Sequence, residues 1–315
     1  MTGKSVSVVV VTFHSERFIS DCLDSLLRQT VPFKEIVVVD NGSADRTCDL
    51  VRSRGPAVLL TALNVNTGFC GANNVGLKQT RGEFVLFANP DTVLEPNYVR
   101  EALRGFEQGP RVGMVSGKLL RFDRATIDSA GQLLTRSRKI LDRGFGQKDS
   151  GRFNSPAEVD AACGAMALYR RAMIEAISMD GQLFDEDFFA FGEDMDVGWR
   201  AKRFGWRAVY VPSAVALHFR GGSQMTHTPW TRLVRMGGRS AELKFHIVKN
   251  RWLMMIKNER IGTFLINFPF ILARDIALLG YLLLSAPTAF FRLWLEPRYY
   301  IRAWEKRRQI QKMLS

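Results

Sequence analysis

The tightest constraint on what this chain can fold into is a rhythm in its first 220 residues. Short runs of β-forming apolar residues, closing on polar or glycine-bearing turns, alternate with segments of helical periodicity. Ser5–Phe13, Glu35–Asp40, Val58–Leu63, Phe84–Ala88 and Val112–Leu120 are the runs. Strands covered on both faces read this way, because neither side meets water. Between them, Glu16–Gln29 places Phe18, Ile19, Leu23, Leu26 and Leu27 on one helical face. Asp45–Arg54, Gly68–Thr80 and Pro96–Gln108 are further helices, the last opening on a first-turn proline. The alternation predicts an α/β fold, a Rossmann-like, mostly parallel sheet flanked by helices. Further on, Val159–Tyr169 is apolar, Ala172–Ile177 and Asp194–Phe204 are helical, and Ala208–Val211 is a strand leading to His218. The Asp194 helix starts on an acidic turn that suits its dipole. Residues 121–158 are polar, rich in Arg and Gly and weakly periodic; they predict a long excursion flanking the active site, with a hairpin as one form it can take.

Charge and apolar pattern split the chain at about residue 225, giving an expected catalytic unit over 1–225 and a helical region over 226–315. The net charge of +13 is uneven: residues 221–315 hold 16 Lys/Arg against 5 Asp/Glu, whereas the first 220 are nearly balanced. A basic tail behind a near-neutral domain predicts an anionic partner. Ile261–Ala273 and Ile276–Phe291 are uncharged stretches of 13 and 16 residues, split by Arg274-Asp275 and each shorter than a bilayer span. A basic aromatic segment, 292–312, comes next with Trp294, Tyr299, Tyr300 and Trp304. Apolar helices beside Lys/Arg and Trp/Tyr suit an anionic membrane surface, and helices packed on the catalytic unit or in a dimer are the plain alternative. Nucleic acid is the other anion to weigh, through Arg302, Trp304, Lys306, Arg307 and Arg308. The apolar stretches favour the membrane and no nucleic-acid partner. The four cysteines form no CxxC pair, against a zinc site or disulfide framework. A lone Lys4 before a six-residue apolar run gives no visible signal peptide. These features place the chain at the cytoplasmic face of the membrane, peripheral or monotopic.

Two carboxylate stations carry the chemistry. The first, Asn89-Pro90-Asp91, comes directly after the Phe84–Ala88 run. The second is Phe191-Gly192-Glu193-Asp194-Met195-Asp196, with Trp199-Arg200 behind it and His218 further on. Open α/β sheets bind ligands at the carboxyl ends of their strands. Thr12, Phe13 and His14 end the first strand and can present backbone groups to a pyrimidine, and Asp40 ends the second. Asp40-Asn41-Gly42-Ser43 also reads as a simple turn, since these residues tolerate left-handed backbone. A diphosphate is a strong anion, and Mg²⁺ or Mn²⁺ held by few protein carboxylates offsets such charge. Removing an acceptor proton needs a base within hydrogen-bond reach, and clustered acids hold protons more tightly.

The order Val38–Ser43, Asn89–Asp91, Glu193–Asp194, His218 resembles the inverting glycosyltransferases of family 2, with their GT-A fold, over roughly residues 5–225. The Asn-Pro-Asp form, where many relatives carry Asp-x-Asp, is similar to the rhamnosyltransferase-like branch. The resemblance implies that Asp40 contacts the nucleotide and that Asn64–Asn74, with Gly68 and Asn73, forms the loop beside it. It implies Asp91 as metal ligand, Asn89 as hydrogen-bonding partner of a sugar or ribose hydroxyl, and His218, with Arg220-Gly221-Gly222-Ser223 behind it, as a second metal or diphosphate ligand. Asp194 matches the family base, and Glu193, Trp199 and Arg200 would shape the acceptor subsite; helix-end charge or plain surface roles stay open for Asp196 and Arg200. Implied partners are a dTDP- or UDP-linked sugar donor and a lipid-linked saccharide acceptor. One base without a second carboxylate for a covalent intermediate gives single displacement with inversion. A dinucleotide oxidoreductase is disfavoured, since no GxGxxG comes after the first strand. Nucleotidyl transfer is disfavoured by Asn89, because its metal sites use two carboxylates.

Overall fold

The computed structural model describes residues 4–220 and 240–315. Its central sheet begins as a parallel set, β3 (Leu59–Ala62), β2 (Glu35–Asp40), β1 (Val6–Thr12) and β4 (Phe84–Ala88) in that order, with strands numbered along the chain. The sheet continues through antiparallel β11 (Met166–Arg170) to β6 (Val112–Leu120), then β12 (Arg207–His218) and β10 (Ala157–Val159). Period-two side-chain alternation sorts each strand between two cores. Val8 and Val10, Ile36 and Val38, and Leu86 face one core, with α1 (Ile19–Leu27) and α4 (Tyr98–Gly105). Val9, Val37, Val39, Val85 and Phe87 face the other, with α3 (Gly68–Leu77), α5 (Arg171–Ile177) and α6 (Glu193–Arg203). The small helix α2 (Thr47–Arg52) lies beside α1.

The 121–158 excursion is a set of short strands. Antiparallel β7 (Ile127–Ser129) pairs with β6, and β8 (Gln132–Leu134) forms a hairpin with β9 (Ile140–Asp142). A further short strand, β5 (Thr92–Leu94), pairs with the end of β12, placing His218 opposite Thr92.

Four helices complete the described chain: α7 (Ala241–Asn258), α8 (Ile261–Ser285), α9 (Pro287–Leu295) and α10 (Arg298–Leu314). The expected boundary at 225/226 lies outside the described residues. Leu253 and Met254 of α7 and Ala303 of α10 belong to the same core as Met195 and Ala201 of α6. The two apolar stretches expected to be separate are joined: α8 runs 25 residues through Arg274-Asp275, taking in the first stretch and the second as far as Ser285, and the rest of the second opens α9. It is long and apolar enough to cross a membrane by length and composition alone. Asp275 does not break it, because its carboxylate accepts from Arg251 Nε of α7 at 2.7 Å. One side packs on α7 and α9 through Leu278, Leu282 and Leu293. Ile261, Leu265, Ile266 and Leu284 are exposed.

Candidate active site

The carboxyl ends of the parallel strands meet along one edge. Thr12 is level with Asp40 across the β1–β2 pair, and Ala88 is level with Val10, so Asn89–Asp91 emerges beside Thr12. Thr12 Oγ1 and Ser43 Oγ donate to Asp40 Oδ1 at 2.8 and 2.6 Å, and the Ser43 amide donates to Oδ2 at 2.9 Å. Burial opposes the charge on Asp40, but these donors hold its carboxyl below the usual range. Phe13 and His14 are exposed beyond it, His14 with a left-handed φ of 49°.

At the end of β4, Asp91 Oδ1 lies 3.4 Å from His218 Nε2. The approach is built by backbone: β5 pairs with β12, and the Phe219 amide donates to the Asp91 carbonyl at 2.9 Å. His218 Nδ1 lies 2.8 Å from Asp128 Oδ2, and Arg220 donates to Asp128 at 3.1 Å. Burial alone would lower the imidazole, but bonds with Asp128 and Asp91 raise it to about 9. Asp128 is fully buried; the same His218 and Arg220 outweigh its desolvation and hold its carboxyl down.

Glu193 and Asp194 open α6. Asp194 Oδ2 accepts from Gln132 Nε2 at 2.7 Å and from the Gly164 amide at 3.0 Å. A Cβ on Gly164 would stand 3.2 Å from that oxygen, so glycine permits the approach. Burial raises the Asp194 carboxyl, and Asp142 adds to the rise. Glu193 is pushed to about 8, first by burial and then by Asp194, and its buried Oε2 has no hydrogen-bond partner among the described residues. The loop before this pair is strained, with φ of 63° at Phe189 and 75° at Phe191. Asn250 of α7 holds it, its amide donating to the carbonyls of Phe188, Ala190 and Phe191 at 2.9, 2.7 and 2.9 Å. Buried Lys257 bridges Asp185 and Asp196 at 2.5 and 2.9 Å, and Lys306 and Arg302 of α10 grip Asp187.

The β8–β9 hairpin links the stations. Arg220 donates to Asp142 Oδ2 at 2.6 Å, and Gln132 Nε2 lies 3.4 Å from Asp142 Oδ1 while it donates to Asp194. A polar chain therefore runs from Asp91 through His218, Asp128, Arg220, Asp142 and Gln132 to Asp194.

Not every expected residue joins this line. Arg200, expected at the acceptor subsite, is fully buried and donates to the carbonyls of Ile177 and Leu183 at 2.9 and 2.5 Å. A guanidinium spent on two carbonyls inside the core cannot meet an acceptor, so that assignment is withdrawn. Asn73 is buried and donates to the Phe69 carbonyl one turn back, at 2.9 Å. Gly68, with φ of 78°, faces protein: a Cβ there would fall 2.6 Å from the Phe189 ring. Its glycine lets the 188–192 loop close against α3. Trp199 is half-buried under Arg138 at 5.4 Å and, with Met195, lines a cavity beside α6. Glu193 and Asn89 lie beside Asp194 and Asp91. Of the Arg-Gly-Gly-Ser segment, 221–223 fall outside the described residues. Asp128, Gln132, Asp142 and Asn250 were missed, since a lone Asp, Gln or Asn in a polar stretch carries no spacing that marks it. Asn41 was passed over as a turn residue; its Oδ1 accepts from the Thr67 amide at 2.8 Å and fixes the α3 entry.

A family model described as glycosyltransferase like family 2 matches residues 3–241. The chain belongs to the family 2-like glycosyltransferases. This glycosyltransferase is 29% identical over 242 residues to the N-acetylglucosaminyl-diphospho-decaprenol L-rhamnosyltransferase of Mycobacterium tuberculosis, covering 69% of this chain and 76% of that one. It is 23% identical to the poly-beta-1,6-N-acetyl-D-glucosamine synthase of Staphylococcus epidermidis, over 67% of this chain and 49% of the relative. The glycosyltransferase thus spans about half the length of that relative. Its fold is shared with the mannosyltransferase of Pyrobaculum calidifontis in complex with GDP-Man and Mn²⁺, at TM-score 0.56 and 18% identity, over 99% and 86% of the two chains. GalNAc-T7 with UDP, GalNAc and Mn²⁺ superimposes at TM-score 0.60 and 13% identity, over 81% and 48%. These solved structures establish a GT-A-like α/β fold.

Proposed function

We propose that this glycosyltransferase moves L-rhamnose from dTDP-rhamnose to a hydroxyl of a lipid-linked or polysaccharide sugar, by single displacement with inversion. The observation that carries the reading is the polar chain joining Asp91 to Asp194, which gives one cleft an anion-handling end and a base end. Thr12, Phe13, His14 and Asp40 line the edge for the nucleotide, and Asn89 sits where a sugar or ribose hydroxyl can bond to it. Asp91 and His218 fit a divalent cation: two donors converge, and Asp128 orients the ring from its far nitrogen as carboxylates orient metal-bound histidines. Among the described residues no third His, Cys, Asp or Glu joins them, which suits an ion completed by phosphate oxygens and water. Mg²⁺ or Mn²⁺, when bound, supplies charge neutralisation at the departing diphosphate.

Asp194 takes the acceptor proton. Gln132 and the Gly164 amide fix its Oδ2, and burial raises its proton affinity towards what a general base needs. Protonated Glu193 beside it keeps a second negative charge out of the base site. The catalytic unit extends to about residue 225, and the exposed apolar side of α8 keeps the enzyme at the cytoplasmic membrane face, near its acceptor. A UDP-sugar donor is the second reading, supported by relatives named for N-acetylglucosamine.

The test is a transfer assay with dTDP-rhamnose and UDP-N-acetylglucosamine offered to a prenyl-diphosphate-linked N-acetylglucosamine. The expected result is release of dTDP with an α-rhamnoside in the product NMR spectrum. Turnover of the UDP-sugar alone sinks the rhamnosyl reading, and a β-rhamnoside sinks the inverting mechanism.

A further inference from the structure

Next to Met195, the residue after Asp194, lies a cavity of about 500 Å³ between α6, the β8–β9 hairpin and the start of α8. Four cations line it, Arg138, Lys202, Arg203 and Arg260, against two carboxylates, Asp160 and Glu259. The carboxylates are already taken: Glu259 holds Arg138 through both oxygens, and Asp160 holds Lys202 at 3.0 Å. Arg203 donates once, to the Lys257 carbonyl at 2.9 Å, while its buried Nε has no hydrogen-bond partner among the described residues. Burial, Arg307 and Arg260 all disfavour the charge on Arg203, so its pKa lies below the ordinary arginine value. Cations crowded without matching acids make an anion site, and guanidinium forks suit phosphate oxygens.

Two further features set the kind of anion. Thr263 and Asn267, on the first turns of α8, form one wall of the cavity, and the same turns expose Ile261, Leu265 and Ile266 to the outside. A charged cavity thus opens beside an exposed apolar track. At the inner end, Gln132 touches Asp194 and Leu134 lines the cavity; two residues apart on β8, they stand on one face, roughly 7 Å from each other. That is about the length of one hexose.

We propose that this cavity binds the diphosphate of a prenyl-diphosphate-linked sugar acceptor, with the sugar reaching Asp194 and the prenyl chain lying along α8. The inference rests on a lipid-linked acceptor and adds the place where its anionic group is held. Trp199, at the cavity wall, offers its ring to the sugar.

Calorimetry in EDTA with farnesyl diphosphate tests this, because a metal-held nucleotide site contributes nothing there. Farnesyl diphosphate binds at least tenfold tighter than farnesol or inorganic pyrophosphate, the Arg203→Gln/Arg260→Gln double variant weakens it at least tenfold, and Arg260→Gln alone weakens it less. Unchanged affinity in the double variant overturns the proposal, as does farnesol binding equally well. Loss in that variant of binding to phosphatidylglycerol vesicles, without farnesyl diphosphate binding, also overturns it and gives the cavity to a membrane headgroup. Mn²⁺-dependent nucleotide binding, measured on the same variants, stays at the wild-type value and reports folding. Its absence from the wild type would sink the donor reading and leave the cavity result standing.

Discussion

Asp91 lies just past a central strand and is braced within the sheet by a histidine on β12, which an aspartate on β7 holds in turn. Asp194 comes after a strained loop braced from outside the sheet, by α7 and α10, with partners up to 121 residues away. The proposed anion-handling end is thus fixed by the fold's own ladder, and the proposed base end by buried ion pairs with the C-terminal helices. The basic tail is in part answered inside the molecule: Lys257, Arg302 and Lys306 meet Asp185, Asp187 and Asp196, and Arg307 donates to the carbonyls of Ile256 and Glu259. The C-terminal helices are therefore part of the framework that holds the 185–196 segment.

If the two ends have separate duties, Asp194→Asn gives the largest effect. Turnover falls roughly 10²–10⁴-fold, the usual contribution of a general base, while nucleotide affinity measured by calorimetry is unchanged. A parallel loss of nucleotide affinity would erase the distinction between the stations. Next is Lys257→Met, which leaves Asp185 and Asp196 buried with one cation fewer. Breaking a buried pair costs about 3–5 kcal/mol, and thermal denaturation should show Tm lower by roughly 5–10 °C. A stability matching wild type would mean that the helices merely rest on the loop. The smallest effect concerns Glu193. Its folded pKa, about 8, lies above its ordinary 4.5, so the folded state binds this proton more tightly than the unfolded chain. Stability from this group is present in acid and declines as pH rises from about 4.5 to 8. Glu193→Gln removes that decline, and by pH 8 the variant is the more stable protein in urea denaturation. Identical pH slopes for both proteins would show that Glu193 ionises normally.

The same contrast explains what the sequence revealed. Strand-borne positions were legible because a run such as Phe84–Ala88 ends in a fixed direction, and the residues just past its end must lie at the sheet edge. The runs 35–40, 84–88 and 112–120 became strands with those bounds. Arg200 was misplaced because helical spacing gives a face but not the elements that cover it; α5 and the loop at Leu183 bury that face. Asn250 and Lys257 were invisible for a different reason. Their partners lie some 60–70 residues away on a loop, and nothing local in α7 marks them as clamps. The run of α8 from the first apolar stretch into the second was missed because Arg274-Asp275 reads as an interruption until Arg251 is seen to pair with Asp275.

The most direct test of the division between the two ends is nucleotide calorimetry on wild type, Asp91→Ala and Asp194→Asn, using dTDP, UDP and GDP with and without Mn²⁺. Mn²⁺-dependent binding of one nucleotide that disappears in Asp91→Ala and persists in Asp194→Asn is the predicted result. Binding that ignores Mn²⁺ and survives Asp91→Ala would contradict it.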